Sequence, residues 1–565
     1  MVNKWKVLSE ETDNLVNTLL KNRGINSELA ADFLHPDWDT QTHDPMLFTA
    51  MEAAVQRTFE ALEAGEKIVV HGDYDADGVS GTTLLIGVLR EIAEKFDYGF
   101  QAEAFLPDRE RDGYGVAMHT IERFGEEKVK HLITVDCGIA NADELDRAQE
   151  LGMSAVICDH HQMGDRLPEH AMIIHPLAPG ETYPNKKLCG TGVAFKFGTA
   201  LLNEARKRGA DFPVGHEKWY LDLVAIATVT DVMPLVGENR VLEHFGLLVL
   251  NKTKRVGLVE LIHMTRSNMG SLDTQAIGFQ IGPRINAAGR IRSAEIAYKA
   301  LSAKTPQEAT QYAGELEQLN RERQRISQDA YKEARKLVEG MGVDAPIHIV
   351  WEETWNPGIV GLVAGKIVSQ FGAPAFALTR VGDHFVGSGR SIGGLHLVEA
   401  MRSCGDIFMK AGGHPQACGL SIEEKNLDIF RERVTMFAKD YFNGDAPPAE
   451  LRIDTVLPLE KIDWDVYGEL SKLKPFGEGN PRPVFIARNL TLISAVTMGK
   501  TNTHLRLTTK DNNGKAWKAV GFSFGEWAEK LSSGDRIDIV YEIDINEWNG
   551  RRDLQVRIID LKKAI

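Results

Sequence analysis

The sequence predicts an α/β fold with a doubly wound parallel sheet, a long connecting helix, a second α/β domain and a C-terminal OB-like β-barrel. Three observations support this prediction. Short apolar runs alternate with helical patterns over residues 66–235, which is typical of a parallel sheet. A polar helical pattern fills residues 305–340, and β-rich runs dominate residues 450–565. A polar helix of that length indicates a connector between domains.

The elements of the first α/β domain follow one another in a regular order. Its predicted strands are residues 67–72, 102–105, 131–136, 154–159 and 172–176, and LVAIATVT at 223–230 is interpreted as a further β-type run. Helical patterns at 81–96 and 142–152 separate the strands. The expected boundaries are 1–50 for an N-terminal helical segment, 51–304 for this domain, 305–342 for the connecting helix, 343–447 for the second domain and 448–565 for the barrel.

The remaining elements carry clear start and stop signals. Thr305, Pro306 and Glu308 form a capping-box pattern, and Gly340 ends the helix. In the second domain, strands are predicted at 346–351 and 374–378, with a helix after each. Asn-Gly pairs at 513–514 and 549–550 predict hairpin turns in the barrel.

Composition limits the class of protein. The chain has 565 residues, of which 43% are hydrophobic and 26% are charged, as in soluble multidomain proteins. Its five cysteines form no CxxC pair, which argues against a disulfide framework or zinc ribbon and favours the cytoplasm. We expect no signal peptide and no membrane span. The net charge is −15, but residues 451–565 carry +2, so a local basic groove is still possible.

An acidic cluster contains the densest chemistry. Asp73, Asp75 and Asp77 lie in HGDYDADG, directly after an apolar strand, where open α/β sheets bind ligands. An EF-hand loop would need a Glu at its twelfth position, but Leu84 stands there. A solvated acidic turn is the other simple alternative.

Further polar groups end three other apolar runs. Asp136, the segment Asp159-His160-His161, and Asp231 each follow such a run. Each signal is weak alone, because an Asp after a strand is often only a turn residue. Together, imidazole and carboxylate ligands without thiolates favour Mn²⁺ or Mg²⁺. Their number indicates two ions about 3.5–4 Å apart, an arrangement used for phosphoryl displacement.

Several glycine-rich and basic stretches are candidates for binding nucleic acid. Residues 106–115 contain Arg109 and Arg111, and residues 281–290 contain Arg284, Asn286 and Arg290. In the second domain the candidates are Asn356, Ser388, Arg390 and His414. Residues 482–518 combine basic side chains with Phe485 and Trp517, as single-strand grooves do. Ordinary loops and core aromatics are the alternatives.

The motifs HGDYDADG, TVDCG, DHH and TVTD, in this order, resemble the metal motifs of the DHH phosphoesterases. The resemblance implies that His71 and Asp75 hold one ion, that Asp77, His160 and Asp231 hold the other, and that Asp136 bridges them. Asp73 would be a ligand or support one, and His161 would touch the scissile phosphate. The expected catalytic residues are Asp73, Asp159 and His161. Residues 388–391 and 412–419 are similar to the DHHA1 domain that accompanies this family.

Within this family, the chain is most similar to single-strand-specific DNA exonucleases. That resemblance implies 5′→3′ hydrolysis, release of 5′-mononucleotides, two Mn²⁺ or Mg²⁺ ions, and a role in DNA repair and recombination. It also implies single-strand-binding protein and a helicase as partners, and a monomer. A small-substrate phosphoesterase and a non-catalytic scaffold are the alternatives; the C-terminal barrel disfavours the first, and the complete ligand set disfavours the second.

Overall fold

The structure of the protein is a computed structural model. This structure describes residues 4–12, 14–109, 111–392, 394–444, 450–511, 513–548 and 551–564. The chain forms two compact units. One contains residues 42–233 and 241–449, and the other contains residues 2–41, 234–240 and 450–565. The predicted domain boundaries remain predictions, and the one at 447–448 lies outside the described residues.

Residues 4–41 begin with a strand, not a helix. β1 (Lys4–Ser9) is followed by α1 (Leu15–Asn22), α2 (Ala30–Leu34) and α3 (Trp38–Gln41). Lys4 of β1 lies opposite Glu450 in a parallel pairing. The prediction of an all-helical segment is therefore wrong for its first element, because the partner that completes this strand lies far away in the sequence.

The first sheet is parallel, as predicted. Its elements, with the helices between them, are α4 (Met51–Glu63), β2 (Ile68–His71), α5 (Ala76–Phe96), β3 (Ala102–Phe105), α6 (Met118–Glu126), β4 (His131–Val135), α7 (Ala142–Glu150), β5 (Ser154–Cys158) and β6 (Met172–Ile174). The strand order is β3-β2-β4-β5-β6, and every pairing is parallel. The carboxyl ends of the strands therefore meet at one edge, where an open sheet binds ligands.

A group of helices completes this part of the chain. They are α8 (Gly190–Lys207), α9 (Leu221–Thr230), α10 (Gly237–Leu250), α11 (Val256–Thr265), α12 (Thr274–Ala276), α13 (Gly282–Ile291) and α14 (Glu295–Ser302). A π-helical turn, Ile277–Ile281, joins α12 to α13. The β-type interpretation of residues 223–230 is wrong, since they belong to α9. This helix is buried over Leu221–Thr228, so it has no polar face to reveal a helical period.

The connecting helix and the second α/β domain follow. α15 (Pro306–Met341) begins with the predicted capping box at Thr305 and Glu308. Next come β7 (His348–Trp351), α16 (Val360–Phe371), β8 (Ala375–Val381), β9 (His384–Arg390), α17 (Leu397–Arg402), β10 (Phe408–His414), β11 (Ala417–Glu423) and α18 (Leu427–Phe442). The sheet order is β10-β11-β9-β8-β7. A strand rather than the predicted helix follows β8, because the glycine-containing segment around Ser388 forms β9, which pairs antiparallel with both β8 and β11.

The C-terminal residues form the predicted barrel. Its elements are β12 (Glu450–Val456), α19 (Trp464–Ser471), β13 (Phe485–Met498), β14 (His504–Lys510), β15 (Ala516–Gly521), α20 (Trp527–Lys530), β16 (Arg536–Trp548) and β17 (Arg551–Lys563). Five strands, in the order β13-β14-β15-β17-β16, close through a β13–β16 pairing. The turn predicted at 513–514 is present between β14 and β15, and the one at 549–550 lies outside the described residues. Among the described residues, no helix has the length and apolar character that crossing a membrane requires.

Candidate metal centre and nucleic-acid interface

The acidic cluster forms a tight turn between β2 and α5. Asp75 caps α5, and its Oδ1 accepts hydrogen bonds from the backbone amides of Asp77 (2.9 Å) and Gly78 (3.3 Å). Gly78 is required by close packing, because a Cβ there would lie 2.4 Å from the nitrogen of Asp73. The turn therefore brings three carboxylates to the carboxyl edge of the sheet.

Three other segments bring their polar groups to the same edge. Asp136 follows β4 and has a left-handed backbone (φ 63°). His160 and His161 come just after β5, and Asp231 is the C-cap residue of α9. The Nε2 atom of His160 lies 3.1 Å from Asp136 Oδ1, 3.4 Å from Asp231 Oδ2 and 3.8 Å from Asp77 Oδ2. The four segments thus converge around His160.

The side chains form three overlapping groups that could hold a cation, with ligand atoms within 4.8 Å of one another in each. The groups are Asp77, His160 and Asp231; Asp73, Asp75 and Asp136; and Asp136, His160 and His161. The first contains the residues expected for one ion, and Asp136 lies in the other two. His71 is in none of the groups, and Asp73 stands beside Asp75 in its place.

Several ligand atoms are buried without a hydrogen-bond partner among the described residues. They are His71 Nε2, Asp73 Oδ1, Asp136 Oδ1, His160 Nε2 and Asp231 Oδ2. Burial and then the charge of Asp75 raise the pKa of Asp73 to about 8. Burial and the neighbouring carboxylates also raise the pKa values of Asp136 and Asp231 well above 3.8. Such groups are costly to bury unpaired, and divalent cations would satisfy them. The donor set therefore fits the expected metals.

Backbone amides that were not predicted also support the centre. Asp77 accepts hydrogen bonds from the amides of Gly190 (2.8 Å) and Thr191 (2.7 Å) at the start of α8. A Cβ at Gly190 would lie 2.5 Å from Asp136 Cβ. The start of α8 thus fixes two candidate ligands, and only the tertiary structure reveals it.

Unlike the carboxylates that have an unpartnered oxygen, Asp159 accepts hydrogen bonds on both of its oxygens. Its Oδ1 accepts from His161 Nδ1 (2.9 Å) and from the amide of His160 (2.7 Å), and its Oδ2 accepts from the amide of Ile139 (3.0 Å). Burial disfavours the charged form of His161, but the hydrogen bond to Asp159 and the nearby carboxylates outweigh it and raise its pKa to about 9. Asp159 therefore orients and charges His161.

The predicted arginines fall into two groups: Arg109, Arg290 and Arg390 lie near one another, whereas Arg284 pairs with an acidic side chain. Arg109 lies over the Tyr74 ring (3.8 Å) and donates to Gly289 O (3.2 Å), and half-buried Arg290 donates to Gly358 O (3.1 Å). Burial and the charge of Arg109 lower the pKa of Arg290 to about 10, with further contributions from Arg390 and Arg323. Arg323 belongs to this arginine group although sequence reasoning missed it.

The other predicted contacts have structural partners. Arg284 Nε donates to Glu317 (2.7 Å), and Asn286 Oδ1 accepts from the amide of Ala76 (2.7 Å). Both lie on the helix α13, whose backbone packs closely against the turn after β2. A Cβ at Gly289 would lie 2.1 Å from Tyr74 O.

The candidate nucleic-acid contacts from the second α/β domain lie near the arginines and His161. Asn356 caps the turn that precedes α16 by accepting from the amide of Gly358 (2.8 Å). Arg390 donates to Ser388 Oγ (2.8 Å). The His414 ring stacks on His161, with 6.2 Å between centroids. Ser388, Arg390 and His414 lie on strands β9 and β10.

The aromatic residues of the barrel are mostly structural. Phe485 is fully buried, and Trp517 packs against the barrel core while its Nε1 donates to Asp511 (2.9 Å). Phe522 is exposed. Phe485 and Trp517 therefore agree with the alternative of core aromatics, because both side chains pack in or against the barrel core.

Comparisons with known proteins agree with this architecture. Residues 67–228 match the DHH family, N-terminal domain, residues 344–440 match the DHHA1 domain, and residues 453–560 match the RecJ OB domain. The single-stranded-DNA-specific exonuclease RecJ of Bacillus subtilis (strain 168) is 37% identical over 562 residues, covering 99% of this chain and 69% of the relative. This chain belongs to the RecJ family.

Other members are similar over most of their length. RecJ of Escherichia coli (strain K12) is 30% identical over 528 residues, covering 91% of this chain and 90% of the relative. The crystal structure of RecJ in complex with Mn²⁺ from Thermus thermophilus matches with a TM-score of 0.81 at 29% identity, covering 100% of this chain and 80% of that one. The Mg²⁺ complex of that RecJ matches with a TM-score of 0.76 at 27% identity.

Proposed function

We propose that this chain is a metal-dependent exonuclease that hydrolyses single-stranded DNA in the 5′→3′ direction and releases 5′-mononucleotides during DNA repair and recombination. One observation carries the proposal. Buried carboxylate and imidazole atoms without partners among the described residues converge at the carboxyl edge of a parallel sheet, beside a half-buried group of arginines. Membership of the RecJ family supports the choice of substrate.

The proposed metal ligands follow from the groups at the sheet edge. Asp77, His160 and Asp231 hold one ion, Asp75 and Asp73 hold the other, and Asp136 bridges them. His71 is kept as a ligand, since its Nε2 is buried and unpartnered among the described residues. Two divalent cations bound here would supply the positive charge that hydrolysis needs at the attacking and leaving oxygens.

His161 is proposed to contact the scissile phosphate. Asp159 holds its Nδ1 proton, so Nε2 is free to donate a hydrogen bond to a phosphate oxygen. The hydrogen bond to Asp159 favours the charged form of His161, and hydrogen bonds from charged donors to phosphate are stronger than neutral ones. His414 stacks on the same ring, which supports a role in limiting its movement.

The arginine group is proposed to bind the terminal phosphate of the strand. Burial and then the charges of Arg109 and Arg390 lower the pKa of Arg290, and a bound phosphate dianion would relieve the repulsion among these cations. Ser388 and Asn356 add hydrogen-bonding groups beside them. Arg284 and Asn286 instead position α13, through Glu317 and Ala76. A site for the terminal phosphate next to the metal centre would set the polarity.

Partners and surroundings are inferred from the family alone. Single-strand-binding protein and a helicase are proposed partners, since they supply and expose single strands. We also propose that the enzyme acts as a monomer in the cytoplasm.

The test is digestion of end-labelled DNA, with each end labelled in turn, in Mg²⁺ and in Mn²⁺. We expect a linear single strand to release labelled mononucleotides early from its 5′ end, and a circular strand and a blunt duplex of matched length to persist. Rapid cutting of the circle would contradict an exonuclease, and early release from the 3′ end would contradict the polarity. Preference for dinucleotides over long strands would favour a small-substrate phosphoesterase.

A further inference from the structure

Two large apolar side chains stand exposed beside the metal centre. Phe279 is 79% exposed, and Val232, which directly follows the candidate ligand Asp231, is 63% exposed. Isolated exposed apolar residues are common, but these two occur at unusual backbone positions. Phe279 lies in the π-helical turn Ile277–Ile281, and Val232 has a left-handed backbone (φ 56°).

Both backbone positions are unfavourable, and folding alone does not require the exposed side chains. A β-branched residue at positive φ is a genuine outlier, and π-helical turns are rare and frequently occur at functional sites. Strained positions that persist beside a reaction centre suggest a role in substrate binding. A glycine at 232 and a polar residue at 279 would remove the strain and the exposed apolar area, so their presence needs a reason.

The packing of α13 relates these residues to the arginine group. At its start, a Cβ on Gly282 would lie 2.3 Å from Thr230 Cγ2, next to Asp231. Towards its end, Gly289 approaches Tyr74, and Arg290 joins the arginine group. The two glycines are seven residues apart, which spans about 10 Å along the helix, roughly the length of three stacked nucleotides. α13 thus connects the proposed terminal-phosphate site at one end with Phe279 and Val232 beyond the other.

We infer that Phe279 and Val232 form a stacking platform for a nucleobase of the single strand, on the 3′ side of the scissile phosphate. This rests on the proposed function: with the terminal phosphate at the arginines and the scissile phosphate at the metals, the following nucleotides continue past Asp231. An aromatic ring accepts any base, because every base has a π-face. The platform therefore holds the strand in register without selecting its sequence.

The test combines protein variants with strands that lack one base. Binding of 5′-phosphorylated single strands is measured by anisotropy in the full-length Asp136→Ala background, so that hydrolysis does not interfere. A single abasic nucleotide is placed in turn at each of the first positions from the 5′ end. We expect Phe279→Ala to weaken binding of the intact strand about tenfold, as the loss of one stacked base does. Val232→Ala should have a smaller effect in the same direction.

The decisive result is non-additivity. At one position, removal of the base should weaken binding by the same factor, and Phe279→Ala should then cause no further loss. Phe279→Tyr should restore both the affinity and the sensitivity to the missing base. In the hydrolytic background, Phe279→Ala should raise KM and leave kcat nearly unchanged.

Trp219→Ala is the matched control. Trp219 is also an exposed aromatic (46%), but it precedes α9, at the opposite end of that helix from Asp231. Unchanged binding in Phe279→Ala, or losses that add at every position, would overturn the platform. A chain that shows the non-additive pattern but cuts no strand in Mg²⁺ or Mn²⁺ would contradict the proposed activity and support the platform.

Discussion

The two ends of β4 place buried polar groups in opposite situations. At the amino end, His131 is fully buried, and its ring nitrogens lie 2.9 Å from Thr58 Oγ1 and 2.8 Å from Ser154 Oγ. At the carboxyl end, Asp136 is almost as buried, yet its Oδ1 has no hydrogen-bond partner among the described residues. The polar atoms of His131 find their hydrogen-bond partners within the fold, whereas Asp136 Oδ1 needs a partner such as a bound cation.

The difference separates groups retained for stability from groups retained for chemistry. A buried polar group is normally hydrogen-bonded, and exceptions need an explanation. Burial and the charges of Asp77 and Asp75 raise the pKa of Asp136, so the metal-free protein is strained at that edge. Substitutions at the carboxyl edge should therefore remove activity at little cost in stability, and substitutions of satisfied groups should do the reverse.

The largest effect is expected for Asp136→Ala. Hydrolysis of single strands should fall about a thousandfold or more, because several kcal/mol of transition-state stabilisation depend on the ions that Asp136 is proposed to bridge. The metal-free variant should unfold within a few degrees of the wild type, since relief of the repulsion among the acids offsets the cost of an alanine at positive φ. Digestion rates and thermal unfolding in EDTA measure the two effects.

Asp222→Ala is the matched control for this prediction. Asp222 is also buried, but it accepts from Thr253 Oγ1 (2.6 Å) and Arg255 Nε (3.1 Å). Its loss should destabilise the fold by about 3 kcal/mol and leave the chemical step intact in the molecules that remain folded. Near-normal turnover of Asp136→Ala, or its unfolding at a much lower temperature, would break the contrast between the two kinds of group.

The next effect concerns the strand terminus. Arg109→Ala should reduce the preference for 5′-phosphorylated over 5′-hydroxyl strands roughly tenfold or more, because hydrogen bonds to charged groups contribute about 1.5–3 kcal/mol. Arg111→Ala is the control, since its side chain is 65% exposed and pairs with Asp112. Rates on both kinds of end are compared for each variant. Equal losses on both ends in Arg109→Ala would mean that Arg109 does not bind the terminal phosphate.

A smaller effect is expected at the amino end of β4, where the ring of His131 has hydrogen-bond partners. Burial lowers the pKa of His131 from 6.5 to about 3, so the unfolded chain binds a proton that the folded chain excludes between these values. The stability due to neutral His131 is present above pH 6.5 and is lost as the pH falls. We expect about 2 kcal/mol of lost stability between pH 7 and pH 5, measured by denaturant unfolding. His131→Gln should flatten this dependence, and an equally steep loss in that variant would assign the effect to other groups.

Sequence patterns predicted that the candidate ligands converge, because each motif directly follows a strand or helix end. Asp136 and His160 needed only the rule that parallel strands end at a common edge. The motifs pair His71 with Asp75, whereas the structure groups Asp73 with Asp75. The direction of each side chain decides this, and the spacing of the motif does not reveal it. The contacts of Arg323 and of the Gly190 and Thr191 amides arise between distant segments, so no local signal identifies them. α9 was misinterpreted because a helix buried on all sides looks like a buried strand.

The smallest effect concerns the outer face of the barrel, where cationic side chains are exposed. Arg506 and Lys510 alternate with buried residues along β14, and Lys518 lies opposite Thr508, so the three exposed cations share one face. If a strand crosses this face, changing all three to Gln should weaken binding and flatten its salt dependence, by about 0.7 in slope for each phosphate that the variant no longer neutralises. The control variant changes the exposed Lys207, Lys332 and Lys336 to Gln, which removes the same charge elsewhere.

These variants are preferable to truncation before the barrel, because Leu19, Leu20 and Phe33 pack in its core and would be uncovered. Affinity is measured by anisotropy from low to moderate salt. Identical slopes for the two triple variants would show that this face of the barrel does not bind DNA.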